Sequence, residues 1–370
     1  MPQKFLSVRS IGFSILALVT TLSLCSFKAN ASDNDDNFVY VMTNKKPHNS
    51  IIQFRRANDG SLTWVREVAT GGSGTGATGV DPLGSQDSLV LSGDGHLLVA
   101  VNAGSDDISV FEVEHDQLTL RDEVRSGGVF PNSVALSGNL VYVLNTKGTT
   151  PHISGFRLDP DGFLHTIPGA RVDLPPGSAG ANDIRFADDG TKLLTSVSGT
   201  NQILAFEVAD NGVAGSPSSD MSAGSSPFGI RFGRNGIAVV SEAAGSVSSY
   251  SFNSMDTLEV ISGAVTDTQQ ASCWISLDRS DRYAYVSNTG SGTISSYQIS
   301  GAGDLTLIKA IAANTGGAPI DSSLSRDSKF IYVVDSAMGR VLILHANAGN
   351  LSSVGTVSSL PTSIQGIAAQ

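Results

Sequence analysis

The chain has 370 residues, of which 15% are charged, and its formal net charge at pH 7 is −11. A chain this acidic is a poor partner for nucleic acid and for anionic membrane surfaces, so both are excluded as partners. Its two cysteines are Cys25 and Cys273. Because the first lies in a segment that is expected to be cleaved, no internal disulfide is expected.

The first 31 residues predict a secretory signal peptide. A short cationic segment precedes the uncharged apolar run 11–24, and Ala29-Asn30-Ala31 has the small-x-small pattern of a cleavage site. The run is shorter than the roughly 20 residues that a membrane span needs. Cleavage would remove three basic and no acidic residues, which changes the net charge to −14. We therefore expect a periplasmic or secreted protein that begins at Ser32, with a frayed acidic segment over 32–37.

Residues 38–370 repeat one unit seven times. Each copy has a short β-branched strand that ends in an aromatic residue or leucine: 51–54, 108–111, 153–156, 203–206, 247–250, 294–297 and 341–344. A second apolar strand precedes each copy, and hairpin turns rich in Asn, Asp and Gly separate the strands. Four short antiparallel strands per unit predict an all-β fold, a single seven-bladed β-propeller.

The two ends of the repeat region predict how the ring closes. The first blade begins at a second strand, 38–42, and so lacks an innermost strand. The final segment, 365–368, matches the innermost strands of the other blades, such as 228–231. The carboxyl-terminal strand is therefore expected to complete the first blade.

Two rings of side chains are predicted on the face where the chain passes from one blade to the next, which we call the crossover face. The ring that ends the second strands comprises Asn44, Asn102, Asn145, Ser198, Glu242, Asn288 and Asp335. The ring that begins the innermost strands comprises Asp87, Asn132, Asn182, Phe228, Cys273, Ile320 and Gln365, followed respectively by Ser88, Ser133, Asp183, Gly229, Trp274, Asp321 and Gly366. The candidate ligand-binding residues come from these rings: Asn132, Asn182, Asp183, Cys273, Trp274, Asn288, Asp321 and Asp335. For the asparagines, a structural role in bonding the loop backbone is the alternative.

Three residues are candidates for catalysis. Glu242 is the only glutamate of its ring, and it could act as a general base or as the partner of an arginine. Arg185 and Arg231 occupy the same place in adjacent innermost strands, where the other blades carry small residues. A buried cation needs a partner, and Glu242 or Asp183 is the expected one. The arginines form either this structural ion pair or a fork that binds a carboxylate.

The remaining signals are weaker. Trp274 is expected either to form an apolar wall for a ligand or to plug the channel, and Cys273 has no histidine beside it in the ring to act as a base. The histidines lack the spacing of metal ligands, so neither a metal nor a cofactor is expected. The glycines of segment 71–84 match a dinucleotide fingerprint by letter. No helix follows them, so the segment predicts a long flexible loop over the channel mouth.

The repeats resemble the seven-bladed lactonase family, which includes 6-phosphogluconolactonases and carboxymuconate lactonizing enzymes. The resemblance covers nearly all of 38–369. Within the family, the sequence is most similar to an exported bacterial branch. It rests on segment 98–105, Pro227-Phe228-Gly229, Ser241-Glu242-Ala243, and the stretch from Cys273-Trp274 to Asn288-Thr289-Gly290-Ser291. It implies lactone chemistry and matches Glu242 to the glutamate that family enzymes carry in blade five.

Two other features of the family enzymes are missing. Their histidine at the start of an inner strand is replaced here, where the sequence reads Pro131-Asn132 and Ala181-Asn182. Their arginine after a second strand is replaced in Asn288-Thr289-Gly290. The first change removes the usual proton carrier near neutral pH, and the second removes a donor to a carboxylate or oxyanion.

Two hypotheses of different class follow. The protein is either a lactone hydrolase or lactonizing cyclase that uses Glu242 with the arginine pair, or a non-catalytic propeller. In the second case it binds a small ligand, a glycan or a protein through its ring face. No particular partner protein is indicated.

Overall fold

The structure is a computed structural model that describes residues 1–3, 37–187, 189–233 and 235–370. Residues 4–36, which hold nearly all of the predicted signal peptide and acidic segment, lie outside the described residues. Within the described ranges the chain forms 28 β-strands and no helix, and hence no helix long and apolar enough to cross a membrane. The strands build seven four-stranded antiparallel sheets, so the predicted seven-bladed propeller is confirmed.

The blades follow one another along the chain, and blades 2–7 each start with their innermost strand. Blade 1 contains β1 (Phe38–Met42), β2 (Ser50–Arg56) and β3 (Leu62–Ala69); blade 2 contains β4 (Leu89–Leu91), β5 (Leu97–Asn102), β6 (Asp107–Glu114) and β7 (Gln117–Arg125); blade 3 contains β8 (Val129–Ser137), β9 (Leu140–Lys147), β10 (His152–Leu158) and β11 (Leu164–Asp173); blade 4 contains β12 (Ala181–Phe186), β13 (Lys192–Val197), β14 (Gln202–Glu207) and β15 (Ser218–Met221). Blade 5 contains β16 (Pro227–Phe232), β17 (Ala238–Glu242), β18 (Ser246–Phe252) and β19 (Leu258–Thr266); blade 6 contains β20 (Ser272–Leu277), β21 (Tyr283–Asn288), β22 (Thr293–Ile299) and β23 (Leu305–Asn314); blade 7 contains β24 (Ser322–Leu324), β25 (Phe330–Asp335), β26 (Arg340–Asn347) and β27 (Asn350–Val357); β28 (Ile367–Ala369) is the last strand.

The ring closes between the two ends of the chain. Strand β28 pairs antiparallel with β1, with Val39 opposite Ala369 and Val41 opposite Ile367. Strand β1 pairs on its other side with β2. The carboxyl-terminal strand thus becomes the innermost strand of blade 1, as the sequence predicts, and β1 has no open edge.

The hydrophobic core lies between the blades. The residue that closes each repeated strand is at most 3% exposed in all seven blades, and these residues are Phe54, Phe111, Phe156, Phe206, Tyr250, Tyr297 and Leu344. Burying one such side chain stabilises the fold by about 2 kcal/mol. The repeat seen in the sequence is therefore the repeat of core positions.

A glycine turn links the first and last blades. Gly60, in the turn between β2 and β3, has φ +85°, which other residues rarely adopt. A side chain at this position would also collide with the ring of Phe330 in blade 7. The backbone of this hairpin therefore lies directly on the neighbouring blade.

Candidate ligand site in the central channel

A short segment closes the channel at the crossover face. Residues 81–86, which we call the strap, lie between β3 and β4. The indole of Trp274 in blade 6 donates to the carbonyl of Ser85 at 2.9 Å, and the backbone N–H of Ile275 donates to Gln86 Oε1 at 2.8 Å. The amide of Gln365, just before β28, also donates to the Ser85 carbonyl at 2.8 Å. The strap is thus bound to blades 6 and 1, and the predicted flexibility of segment 71–84 stays a prediction.

Two of the predicted ligand-binding asparagines also contact the strap. Asn182 in blade 4 donates to the carbonyl of Gly84 at 2.8 Å, and the Ser85 hydroxyl donates to the carbonyl of Asn132 in blade 3 at 2.7 Å. The ring that begins the innermost strands is buried throughout, with no member more than 7% exposed: Asp87, Asn132, Asn182, Phe228, Cys273, Ile320 and Gln365. The crossover mouth is therefore filled by protein.

Trp274 plugs the channel rather than lining an open wall. It is 2% exposed, and its ring centroid lies 4.8 Å from that of Phe228. Burial, with a smaller contribution from Asp81, raises the pKa of the neighbouring Cys273 thiol to about 12. A thiol with so high a pKa carries almost no thiolate at neutral pH, so Cys273 is a poor nucleophile.

In blades 2, 3, 5, 6 and 7 the residue that ends the second strand joins its blade to the preceding one. We call each such side chain, with its partner on the segment from the preceding blade, an inter-blade latch. Asn102 accepts from Thr70 Oγ1 at 2.7 Å, and Asn145 accepts from Ser126 Oγ at 2.7 Å. These two asparagines therefore have a structural role, with bonds to hydroxyl groups from the preceding blade in addition to any bonds within their own loops.

The same arrangement recurs in blades 6 and 7. The Asn288 amide lies 3.1 Å from the carboxyl of Asp267. Asp335 accepts from Arg340 Nε at 3.0 Å, and Arg340 in turn donates to the carbonyl of Thr315 at 2.8 Å. Asn288 and Asp335 are fully buried, and the polar groups of each latch find hydrogen-bond partners within the protein. Their assignment to ligand binding stays a prediction that this burial disfavours.

Glu242 forms the latch of blade 5. Its Oε1 accepts from the Gly224 backbone N–H at 2.8 Å, from Ser248 Oγ at 2.6 Å and from Ser222 Oγ at 3.1 Å. Its Oε2 accepts from Ser246 Oγ at 2.5 Å, and the side chain is fully buried. The loop after it, 243–245, is one residue shorter than the loop 103–106 that follows Asn102. The longer side chain of glutamate thus reaches its partners where the loop is shorter.

The prediction that Glu242 forms an ion pair with Arg185 or Arg231 is wrong. In the sheet register Glu242 lies opposite Pro227, whereas Arg231 lies opposite Val239. Three residues along a strand span about 10 Å, so Arg231 is near the other end of the blade. The role of Glu242 as a general base is not tested by this geometry and stays a prediction.

Arg185 and Arg231 do come together in the channel, on a partner that the sequence reasoning missed. Arg231 donates to both carboxyl oxygens of Asp87 at 2.8 Å, and Arg185 donates to Asp87 Oδ2 at 3.1 Å. Asp183, the other expected partner, also forms a salt bridge with Arg231, at 3.8 Å, so that expectation is confirmed, although Asp87 lies nearer. The sequence does distinguish Asp87, because it is the only acidic residue of the ring that begins the innermost strands.

Two buried carboxyl groups lie behind this cluster. Burial, reinforced by the negative charge of Asp87, raises the pKa of both Asp183 and Asp321 well above the ordinary value. For Arg231 burial works against the charge, but Asp87 and Asp183 outweigh it and keep its pKa above the ordinary value. Asp321 Oδ2 has no hydrogen-bond partner within the described ranges. The described residues place no three acidic, histidine or cysteine side chains as metal ligands.

The open part of the channel lies at the opposite end, where each innermost strand turns back into the second strand; we call this the hairpin face. A cavity of about 440 Å³ opens there, with Asp87, Arg185 and Arg231 in its wall and Ser276, Ser323 and Ala368 beside them. Its rim is formed by the hairpin turns, including Gly93, Asp278, Asp281 and Arg326. Sequence alignment of the repeats predicts which side chains share a level of the channel. Which end of the channel is closed depends instead on the strap, and the strap lies outside the repeat.

Arg185 is the most exposed member of the cluster that it forms with Arg231 and Asp87. Its side chain is 34% exposed, compared with 13% for Arg231 and 7% for Asp87. Within the described part of the chain it makes one hydrogen bond, to Asp87. Because a guanidinium has five N–H donors, most of the donors of Arg185 remain free for an acceptor in the cavity.

Comparisons with known proteins agree with this architecture. A sequence profile described as lactonase, 7-bladed beta-propeller, matches residues 85–175 and 178–368. No curated protein matches the chain. A solved protein from Lactobacillus plantarum is similar in fold, with 20% identity, a TM-score of 0.70, and coverage of 90% of this chain and 98% of that one.

Two further similar structures carry functional descriptions. A 6-phosphogluconolactonase candidate from Bacteroides fragilis is 19% identical, with a TM-score of 0.69 and coverage of 90% of this chain and 97% of that one. The periplasmic gluconolactonase of Pseudomonas aeruginosa is 15% identical, with a TM-score of 0.68 and coverage of 90% and 98%. At these identities the similarity establishes a shared fold only.

Proposed function

We propose that this chain, which belongs to the lactonase family of seven-bladed β-propellers, binds a small lactone or its hydroxy acid in the channel cavity and hydrolyses the lactone there. The observation that carries the proposal is Arg185, a partly exposed guanidinium in the wall of that cavity with most of its donors unused. We propose further that the reaction takes place outside the cytoplasm, because the sequence predicts a signal peptide over 1–31.

The residues of the cavity suggest how the hydrolysis proceeds. A water molecule attacks the acyl carbon of the lactone, and the carbonyl oxygen becomes negatively charged. Arg185 donates hydrogen bonds to that oxygen, which lowers the energy of the transition state. Asp87 accepts a proton from the water and returns it to the ring oxygen as the acyl–oxygen bond breaks. Lactone and water thus give one hydroxy acid, with no other reactant required.

Arg231 positions this machinery. Its two N–H groups hold both oxygens of Asp87 at 2.8 Å, so the carboxylate cannot rotate freely. The same contacts favour a second candidate function, binding without turnover. Both oxygens of this carboxylate already accept hydrogen bonds from arginines, so they are occupied before a water molecule enters.

The experiment that tests the proposal measures acid release from a panel of five- and six-membered lactones, including sugar-acid lactones. The variant Arg185→Met removes the donors and keeps an unbranched side chain, and we expect kcat/KM to fall about 100-fold. The matched control is Arg121→Met, because Arg121 is an exposed arginine on the outer strand β7. Unchanged kcat/KM in Arg185→Met would contradict the proposal.

Calorimetry with the corresponding hydroxy acids separates the two candidates. Turnover in the parent protein that is lost in Arg185→Met supports the hydrolase. Binding of the hydroxy acid that is lost in Arg185→Met, with no turnover by any variant, supports the binding protein. If the parent neither binds nor hydrolyses any member of the panel, both candidates fail.

A further inference from the structure

A second, smaller cavity lies beside the channel cavity on the hairpin face. It has a volume of about 180 Å³ and is located between blades 5 and 6. Part of its wall is apolar, formed by Ile237, Val239, Leu277 and Ile299. Val239 and Ile299 are buried, but Ile237 and Leu277 are only partly so. An apolar wall that remains partly open to solvent gains free energy when another apolar group covers it.

The two cavities share part of their walls. Leu277 and Asp281 line both of them. Ser276, the preceding residue of β20, lines only the channel cavity, because successive side chains of a strand point to opposite sides. Leu277 therefore points toward blade 5 at the boundary between the two spaces.

Gly233 of blade 5 and Asp281 of blade 6 approach each other closely at this boundary. Gly233 faces Asp281 so closely that a Cβ atom at position 233 would lie 3.3 Å from the Cβ of Asp281. Gly233 contributes no side chain, so among the described residues the backbone of blade 5 and the hairpin turn of blade 6 form the boundary between the two cavities. A ligand held at Arg185 could thus extend over this boundary into the space between the blades.

We propose that the ligand of the channel site is amphiphilic, a lactone or hydroxy acid whose short apolar substituent lies in the cavity between blades 5 and 6. The polar head group interacts with Arg185, and this part of the proposal rests on the proposed function. The side cavity has room for about six water molecules at the volume each occupies in the liquid. A substituent of a few carbon atoms fits that space, and a long acyl chain does not.

The test compares lactones that differ only in the length of an unbranched side chain, from γ-butyrolactone to γ-decalactone, together with the carboxylates from butyrate to octanoate. In the parent protein we expect Kd or KM to fall about fourfold for each of the first few methylene groups, since each buries further apolar surface. The gain should stop once the side cavity is full.

Filling the cavity provides the decisive variant. Gly301 lines the side cavity, its φ is not positive, and a Cβ atom there would have no neighbour within 4 Å. Gly301→Leu should abolish the gain with chain length and leave the binding of γ-butyrolactone and butyrate unchanged. Gly355→Leu is the matched control, because Gly355 is equally open but lies on the outer strand β27. Melting temperatures of both variants show whether they fold.

The outcomes distinguish this inference from the proposed function. Binding that does not depend on chain length, and is the same in Gly301→Leu and the parent, overturns the amphiphilic ligand and leaves the lactone site in place. Carboxylate binding that depends on chain length without any turnover supports the side cavity and contradicts the hydrolase. If no lactone or carboxylate binds, both proposals fail.

Discussion

The two ends of the central channel both carry polar side chains but use them differently. At the crossover end the latch side chains and the strap find their partners within the protein. Glu242 alone accepts four hydrogen bonds there. At the hairpin end Arg185 makes one hydrogen bond within the described part of the chain and stays a third exposed. An unusual polar residue therefore indicates a ligand site only when its hydrogen-bonding groups are not already used by the fold.

The largest effect is expected from removing residues 361–370. This truncation deletes β28, exposes the edge of β1 and removes the buried side chains of Ile364 and Ile367. We expect a loss of about 5 kcal/mol or more in the free energy of unfolding, or aggregation, measured by chemical denaturation. Deleting only Gln370 keeps β28 and is the control. A truncated protein that melts within a few degrees of the parent would show that closure contributes little.

A smaller effect is expected from pH, through the strap. Burial raises the pKa of Asp81 to about 6, above its value of about 4 in the unfolded chain. The folded state therefore favours the protonated carboxyl, so the stability that Asp81 contributes is full below pH 4 and is lost as the pH rises through 6. Between pH 4 and 8 the parent should lose about 2 kcal/mol more than Asp81→Asn, measured by denaturation at each pH. Parallel pH profiles for the two proteins would refute this assignment.

The smallest effect is expected from Glu242→Gln, which tests whether the latch is structural. A glutamine amide has only one acceptor oxygen, so it cannot accept hydrogen bonds from all the donors that face this carboxyl. We expect a loss of about 1.5 kcal/mol in stability, with lactone turnover retained. Because no arginine of the described ranges pairs with Glu242, adding Arg231→Met should not restore stability. The exposed Glu259→Gln, in the same blade, is the control. Turnover that falls about 100-fold at unchanged stability would instead establish Glu242 as a base.

The sequence was sufficient to predict the ring of blades and its closure. Both follow from a periodic signal, since residues such as Phe54 and Phe111 occupy the same core position in every blade. It was also sufficient to predict that Arg185 and Arg231 share a level of the channel. The expected partner Asp183 was confirmed, but the nearer partner Asp87 was missed: it lies two residues before β4 with φ +59°, a local conformation that alignment of repeats does not reveal.

The open end of the channel was not predictable in the same way. The strap belongs to the long connection between β3 and β4, which has no counterpart in the other blades. Its hydrogen bonds to Trp274 and Gln365 join residues that are 189 and 280 positions away in the sequence. Contacts of this kind depend on the folded ring as a whole and leave no mark in a repeat pattern.

A strap across one mouth makes the channel a blind well. A molecule that enters from the hairpin face cannot pass through the ring and has to leave by the route it came. If the well holds a lactone, the hydroxy acid formed from it keeps the carboxyl group that Arg185 binds and blocks the way for the next molecule. Substrate entry and product release use the same opening, so product release is a step of every catalytic cycle. The product therefore acts as a competitive inhibitor because of the geometry of the channel.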